Sequence, residues 1–234
     1  MSAAAPTVVR TKNFVADAAA FILEHARKAI AERSEFRIAL SGGNTPAPVY
    51  GRIAVEAHDL PWESVRFTFG DERCVPPDDP QSNFRMAREN LFVPAAVPAK
   101  SIMRMRGEID PQIAAQEYED QLDAIAAGHS EPIYQHDLIL LGLGDDGHTA
   151  SLFPGTAALD EMTRRVVANF VPKLNAWRLT FTFPLINRAR HILFLVGASK
   201  SPELIERVLA GDPQFPAAGV NPVAGEVTWM IGET

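Results

Sequence analysis

Apolar residues along the chain repeat at two different intervals, and the interval changes many times. Short apolar or alternating runs, such as residues 36–40 and 138–141, are typical of buried strands. Longer segments, such as residues 14–32, place apolar residues at helical spacing, which is typical of an amphipathic helix. Because strands and helices alternate, the pattern predicts an α/β fold with a mostly parallel sheet covered by helices on both faces.

The predicted elements follow one another without a glycine- and serine-rich linker, an internal repeat or a low-complexity tract. The predicted strands cover residues 7–11, 36–40, 65–69, 101–105, 138–141, 165–171, 178–183, 191–196 and 226–231. The predicted helices cover residues 14–32, 46–57, 82–92, a segment that begins at 110–111, a turn at 184–189, and 202–210. We therefore predict a single domain over residues 1–234.

The stretch from residue 137 to residue 151 is the most informative part of the sequence. An apolar strand breaks at a glycine-rich turn and is followed by Asp145, Asp146 and His148. Ligands of open α/β sheets bind beyond the carboxyl ends of the strands, and histidine is well suited to move protons near neutral pH. We predict that His148 is a general base and that Asp146 orients its ring.

The same stretch matches the G-x-G-x-x-G pattern of dinucleotide-binding loops at residues 142–147. A dinucleotide site needs a long helix after the third glycine, but Pro154 and Gly155 follow closely. Asp145 and Asp146 would also repel a pyrophosphate. The pattern therefore disfavours a dinucleotide site, while a tight turn with solvated aspartates stays open as an alternative.

A second glycine-rich turn, at residues 41–45, lies between a predicted strand and a predicted helix. Thr45 and Pro46 resemble a helix N-cap followed by proline. Backbone amides near a helix start, together with hydroxyl donors, suit a phosphate monoester, although the G-K-[ST] ending of a Walker A loop is missing. An ordinary capped turn is the alternative. The candidate substrate-binding residues of this loop are Ser41, Gly42, Gly43, Asn44 and Thr45.

Charged residues follow other predicted strands in similar positions. The guanidinium of Arg73 offers a fork of donors for phosphate oxygens, although a surface salt bridge with Asp71 or Glu72 is an alternative. Asp71 is a candidate catalytic residue, either as a base or as the carboxylate that orients Arg73. Lys173 and Arg178 flank a loop and are candidate substrate contacts, although such residues are often simply solvated.

Composition limits the possible partners. The net charge of −7 and a pI near 5.4 argue against a nucleic-acid or anionic-membrane surface, but they allow a small anionic substrate. We find no metal-binding motif, and the structural interpretation is favoured for every histidine other than His148. The N-terminus has no signal-peptide pattern, no apolar run is long enough to span a membrane, and Cys74 is the single cysteine, so we predict a cytoplasmic protein.

Four motifs, in this order, resemble those of the 6-phosphogluconolactonase family, in the superfamily shared with glucosamine-6-phosphate deaminase. They are residues 41–46, residues 70–83, residues 142–154 and residues 172–180, and the resemblance spans residues 8–231. It implies a Rossmann-like three-layer fold and hydrolysis of 6-phospho-D-glucono-1,5-lactone to 6-phospho-D-gluconate in the pentose phosphate pathway. It also implies that no cofactor is needed.

Two other functions stay open at this stage. Glucosamine-6-phosphate deaminases, which resemble this chain in the phosphate loop, carry a glutamate five positions after the loop histidine, where this chain has Phe153. Because Phe153 cannot transfer protons, the resemblance favours the lactonase. A non-catalytic sugar-phosphate-binding module is a third possibility, which Asp146 and His148 argue against. We expect a monomer or weak dimer.

Overall fold

The computed structural model describes residues 5–234. Residues 1–4 lie outside the described residues, and so does that part of the N-terminus for which the sequence predicts no signal peptide. The strands are β1 (Thr7–Thr11), β2 (Phe36–Leu40), β3 (Val65–Phe69), β4 (Asp71–Arg73), β5 (Leu138–Gly142), β6 (Val166–Val171), β7 (Ala176–Phe181), β8 (His191–Val196) and β9 (Glu226–Gly232). The α-helices are α1 (Phe14–Arg33), α2 (Pro46–Glu56), α3 (Asn83–Ala87), α4 (Pro111–Gly128), α5 (Phe183–Ile186) and α6 (Pro202–Leu209).

The main sheet has six strands in the order β1-β9-β8-β5-β2-β3, and every neighbouring pair is parallel. The residues of strand β5 are apolar because both faces of the strand are buried. Leu138 and Leu140 join a core with α1 and α2, whereas Ile139 and Leu141 join a second core with α4 and α6. The predicted parallel sheet with helices on both faces is therefore confirmed. The assignment to one domain stays a prediction.

A second, smaller sheet was not predicted. Strand β7 pairs antiparallel with both β4 and β6. The chain leaves the main sheet at Gly70, whose amide donates to Leu40 O (3.0 Å) and whose carbonyl accepts from Phe181 N (2.8 Å). Residues 71–73 therefore form a new strand. The prediction that Asp71 and Arg73 lie in a segment that follows the strand of residues 65–69 needs correction, because both residues belong to β4 of the small sheet.

Three further predictions need correction. Residues 101–105 do not form a strand: a 3₁₀ helix (Ala99–Ser101) is followed by one isolated bridge between Ile102 and Phe67. The amide of Met103 donates to Phe67 O at 2.8 Å, and the segment then leaves β3 and passes close to the backbone of Arg73 and Val75 at Gly107. The helix predicted at 82–92 is α3 continued by a π-helix (Arg88–Phe92). Thr45 occupies the N-cap position of α2, but its side chain makes no capping hydrogen bond.

The order of the strands places a crevice between β2 and β5. The chain passes from β2 to β3 on one side, and from β5 to β8 on the other side. The loops that follow β2 and β5 therefore separate at this point, where open α/β sheets bind their ligands. Within residues 5–234, no helix combines the length and the apolar character that a membrane crossing needs.

Candidate active site

A cleft of about 420 Å³ opens at the carboxyl ends of β2 and β5. Its walls come from the loops after β2, β5 and β8, from β4, and from the β6–β7 hairpin. The structure brings every candidate site residue of the sequence into this cleft: Ser41, Gly42, Gly43, Asn44, Thr45, Asp71, Arg73, Asp146, His148, Lys173 and Arg178. Their roles stay predictions.

The loop after β5 presents a histidine bound to a carboxylate. His148 Nδ1 lies 2.6 Å from Asp146 Oδ1, and the backbone amide of His148 donates to the same oxygen at 3.3 Å. Lys173, at the tip of the β6–β7 hairpin, donates to Asp146 Oδ2 at 2.8 Å. Because a carboxylate accepts the proton of Nδ1, Nε2 is the nitrogen with a free lone pair, and it has no protein partner within residues 5–234.

The electrostatics of Asp146 favour its ionised form. Burial raises the pKa of Asp146, but the hydrogen bonds from Lys173 and His148 outweigh burial and hold the pKa at about 2. The carboxylate is therefore ionised at neutral pH. This arrangement can hold the imidazole in one tautomer and stabilise the imidazolium that forms when it takes a proton.

The ring of His148 is also held on its faces. Phe153 stacks on it with ring centroids 3.9 Å apart and an angle of 22° between the ring planes. Gly144 lies so close that an added Cβ would be 2.0 Å from His148 Nδ1. A glycine at residue 144 is therefore required by contact with the histidine. The ring plane is set by Phe153, Gly144 and Asp146 together.

The loop after β2 offers unpaired donors. The backbone amides of residues 42–45 donate to no protein group within residues 5–234. The Oγ atom of Ser41 is buried and has no hydrogen-bond partner in the same range. These amides lie directly before the start of α2, which is a favourable position for an anion.

Two arginines face the cleft from neighbouring strands of the small sheet. Arg73 in β4 and Arg178 in β7 are register partners. Arg73 donates to Gln81 O and Arg178 to Trp177 O, but neither pairs with a carboxylate within residues 5–234. Burial lowers the pKa of Arg178, and the positive charge of Arg73 lowers it further. Two adjacent guanidinium groups without a counter-ion form a site that favours an anion.

Asp71 and Glu72 have different partners from those the sequence suggested. Asp71 is buried, and its carboxylate accepts hydrogen bonds from Ser151 Oγ at 2.6 Å and from Asn83 Nδ2 at 3.0 Å. Glu72 accepts from the backbone amides of Arg73 and Asn83. The alternative in which Arg73 forms a salt bridge with either carboxylate is therefore wrong for this structure.

Lys200 and Ser151 are polar residues of the cleft that the sequence analysis did not assign to the site. Lys200 follows β8 and donates to Asp145 Oδ1 at 2.5 Å. Lys200 could have been predicted, because it follows β8, the strand next to β5, and open α/β sheets bind ligands beyond the carboxyl ends of their strands. Ser151 is fully buried beside Asp71, a contact that joins residues 80 positions apart and leaves no local signal. Among the residues that the structure describes, only a 3₁₀ helix (Ala157–Leu159) lies between Gly147 and β6, and a dinucleotide site would need a long helix there.

The sequence matches the family described as glucosamine-6-phosphate isomerases/6-phosphogluconolactonase over residues 10–229. The 6-phosphogluconolactonase of Synechocystis sp. is 46% identical over 213 residues, which cover 88% of this chain and 85% of the relative. The 6-phosphogluconolactonase of Nostoc sp. is 39% identical over 214 residues, which cover 90% of this chain and 87% of the relative.

Solved structures give the same relationship. The 6-phosphogluconolactonase of Thermotoga maritima superimposes with a TM-score of 0.86 at 27% identity, over 97% of this chain and 100% of that chain. The 6-phosphogluconolactonase of Trypanosoma brucei superimposes with a TM-score of 0.85 at 29% identity, over 97% of this chain and 96% of that chain. This chain therefore belongs to the glucosamine-6-phosphate isomerase/6-phosphogluconolactonase family.

Proposed function

We propose that the protein is an enzyme that hydrolyses 6-phospho-D-glucono-1,5-lactone to 6-phospho-D-gluconate, in the oxidative pentose phosphate pathway. One observation carries the proposal: a single cleft holds an oriented histidine–carboxylate pair and, separately, two arginines that pair with no carboxylate within residues 5–234. The first suits attack on an ester carbonyl, and the second suits a phosphate. The relatives named 6-phosphogluconolactonase support the same reaction.

In the proposed mechanism, His148 Nε2 takes a proton from a water molecule as the water oxygen attacks the lactone carbonyl carbon. The attack forms a C–O bond and moves the carbonyl π electrons onto oxygen. Collapse of the tetrahedral intermediate re-forms the carbonyl and breaks the bond between C1 and the ring oxygen, which receives the proton from the imidazolium. Asp146 stabilises the imidazolium between these steps.

The phosphate end of the substrate positions the reacting end. We assign the phosphate to Arg73, Arg178 and the amides of residues 42–45. Within residues 5–234, these amides donate to no protein group and the two guanidinium groups pair with no carboxylate. Holding one end of the sugar limits the motion of the carbonyl near His148, so positioning supplies part of the rate. Lys173, whose ammonium binds Asp146, stays a predicted substrate contact at the rim.

Other properties belong to the same proposal. We propose a cytoplasmic enzyme that acts without a cofactor and does not bind nucleic acid or membranes, in keeping with its acidic composition. A monomer or weak dimer is the expected assembly. Phe153 favours the lactonase over an aminosugar-phosphate deaminase, since its side chain cannot take part in proton transfer.

The test is a lactonase assay on freshly generated 6-phosphogluconolactone, corrected for spontaneous hydrolysis, with glucosamine 6-phosphate as the comparison substrate. We expect rapid enzyme-dependent hydrolysis of the lactone and no release of ammonia from the aminosugar phosphate. Ammonia release would support the deaminase instead. Product binding without turnover would support a non-catalytic binding module.

A further inference from the structure

Asn83, at the start of α3, contacts two different parts of the cleft although it does not line the cleft. It is almost fully buried, and its backbone amide is held by Glu72 Oε1 at 2.8 Å. The neighbouring amide of Phe84 donates to Glu72 Oε2 at 2.8 Å. The start of the helix is therefore anchored, and the direction of the Asn83 side chain follows from that anchor.

The side-chain amide nitrogen of Asn83, Nδ2, donates both of its hydrogen bonds to Asp71. Nδ2 donates to the Asp71 carbonyl oxygen at 2.8 Å and to its Oδ1 at 3.0 Å. The orientation of the amide follows from chemistry, because a carboxylate and a carbonyl only accept hydrogen bonds. The other carboxylate oxygen of Asp71 is held by Ser151. Asn83 and Ser151 therefore leave the Asp71 carboxylate little freedom to turn.

The other side of the Asn83 amide lies against the loop after β2. A Cβ added to Gly42 would be 1.8 Å from Asn83 Oδ1 and 2.3 Å from its Cγ. Oδ1 is buried and has no hydrogen-bond donor within residues 5–234. The 41–45 loop can therefore approach the helix this closely only because residue 42 is glycine, and the Asn83 amide sets the distance.

We infer that Asn83 is a positioning residue that couples the placement of the 41–45 loop to the placement of the Asp71 carboxylate. A larger side chain at residue 42 would push the Asn83 amide away from Asp71, and loss of the Asn83 amide would free both the loop and the carboxylate. The inference rests on the proposed function for the substrate of the cleft, but the coupling itself is a property of these three residues.

The experiment is a double-mutant cycle with Gly42→Ala and Asn83→Ala. Its readouts are the Kd of 6-phosphogluconate by calorimetry and kcat for the lactone. We expect Gly42→Ala to raise Kd about tenfold in the wild-type background but about threefold or less in the Asn83→Ala background, since contacting residues are coupled. We expect Asn83→Ala alone to lower kcat about tenfold, because Asp71, a predicted catalytic residue that lines the cleft, loses a buried donor to its carboxylate.

Matched controls separate coupling from general damage. Within residues 5–234, a Cβ added at Gly51 on α2 meets no atom within 4 Å, and the Asn90 side chain donates to Met86 O without contacting the cleft. Gly51→Ala and Asn90→Ala are therefore the controls. Both are expected to leave Kd and kcat unchanged. If Asn83→Ala does not fold, as judged by circular dichroism, the cycle is measured with Asn83→Ser, which also makes room for a methyl group at residue 42.

The outcomes separate the inference from the proposed function. Additive effects of the two substitutions on Kd, or an Asn83 variant with wild-type kcat, would overturn the inference while leaving the lactonase function intact. Failure of the wild-type protein to hydrolyse the lactone would instead overturn the proposed function. Non-additive effects on Kd together with a lower kcat would establish Asn83 as the link between the two parts.

Discussion

The two walls of the cleft differ in how their polar groups are satisfied. On the wall after β5, Asp146 binds His148 and Lys173, and Asp145 binds Lys200. On the opposite wall, the amides of residues 42–45 and the guanidinium groups facing the cleft have no carboxylate partner within residues 5–234. The side chains of the wall after β5 are therefore oriented before a ligand binds. The donors of the opposite wall can instead bind acceptor atoms of a ligand.

This difference separates the two kinetic constants. A group that is already oriented and acts on the reacting atoms contributes mainly to kcat, whereas a donor that contacts a distant phosphate contributes mainly to binding. Substitutions on the wall after β5 are expected to lower kcat. Substitutions of the donors on the opposite wall are expected to raise KM.

The largest effect is expected for His148→Ala. Loss of the general base should lower kcat by about 10²- to 10⁴-fold, with little change in KM. The acidic limb of the pH profile of kcat/KM should disappear in the same variant. The measurement is steady-state kinetics on a variant whose fold is checked by circular dichroism. A kcat close to that of the wild type would remove His148 from the mechanism and leave Asp71 as the next candidate base.

The next effect is expected for Arg73→Ala, on the opposite wall. A charged hydrogen bond contributes roughly 1.5–3 kcal/mol, so KM for the phosphorylated lactone should rise by about 10- to 150-fold. Turnover of gluconolactone without a phosphate should be poor in the wild type and insensitive to the change. Equal losses for both substrates would mean that Arg73 does not bind the phosphate.

Asp146→Asn should lower kcat by about tenfold. The substitution removes the negative charge from the hydrogen bond to His148 but keeps an acceptor oxygen, so only part of the roughly 1.5–3 kcal/mol of a charged hydrogen bond is lost. It should also change the dependence of stability on pH. The pKa of Asp146 is about 2, below its ordinary value of 3.8, so its stabilising effect is complete above that ordinary value. The effect is lost as the pH falls towards 2.

The corresponding measurement compares the Tm of the wild type with the Tm of Asp146→Asn at several pH values. The wild type should be the more stable protein at neutral pH, and the difference should shrink on acidification. A difference that stays constant across the acidic range would contradict the ion-pair account of Asp146.

A smaller effect is expected for Phe153→Leu. The substitution keeps an apolar side chain but removes the aromatic stack on His148, and such pairs contribute roughly 0.5–1.5 kcal/mol. We expect kcat to fall by about two- to tenfold with KM unchanged. Phe170→Leu, in an exposed aromatic pair on β6, is the matched control and should leave both constants unchanged. A rise in KM alone would show that Phe153 contacts the substrate instead of orienting the histidine.

No effect is expected from removal of metal ions. The sequence contains no metal-binding motif, and a lactone is an activated ester that the histidine can cleave with water alone. Dialysis against EDTA, followed by assay in metal-free buffer, should leave the activity intact. A loss that one divalent ion restores would overturn this prediction.

Local patterns were sufficient for much of the fold and for the residues of the site. The apolar period identified the strands of the main sheet, because strands buried on both faces are short and apolar. The glycine-rich turns at 41–45 and 142–147 marked where polar residues leave those strands. Asp146 and His148 are two residues apart, so a contact between them is possible from the sequence alone. These features depend on neighbours along the chain.

Contacts between distant segments follow from the packing of the folded chain and not from any local pattern. The small sheet pairs Arg73 with Arg178, and the hairpin brings Lys173 to Asp146 and not to an open phosphate site. Contacts of Asn83 with Asp71 and Gly42 likewise join three separate segments. None of these contacts has a local pattern, because their energy depends on burial and on how the two sheets are placed against each other. The residues of the site could be predicted from the sequence. Only the packing of the chain determines which of their polar groups pair with each other and which can bind a ligand.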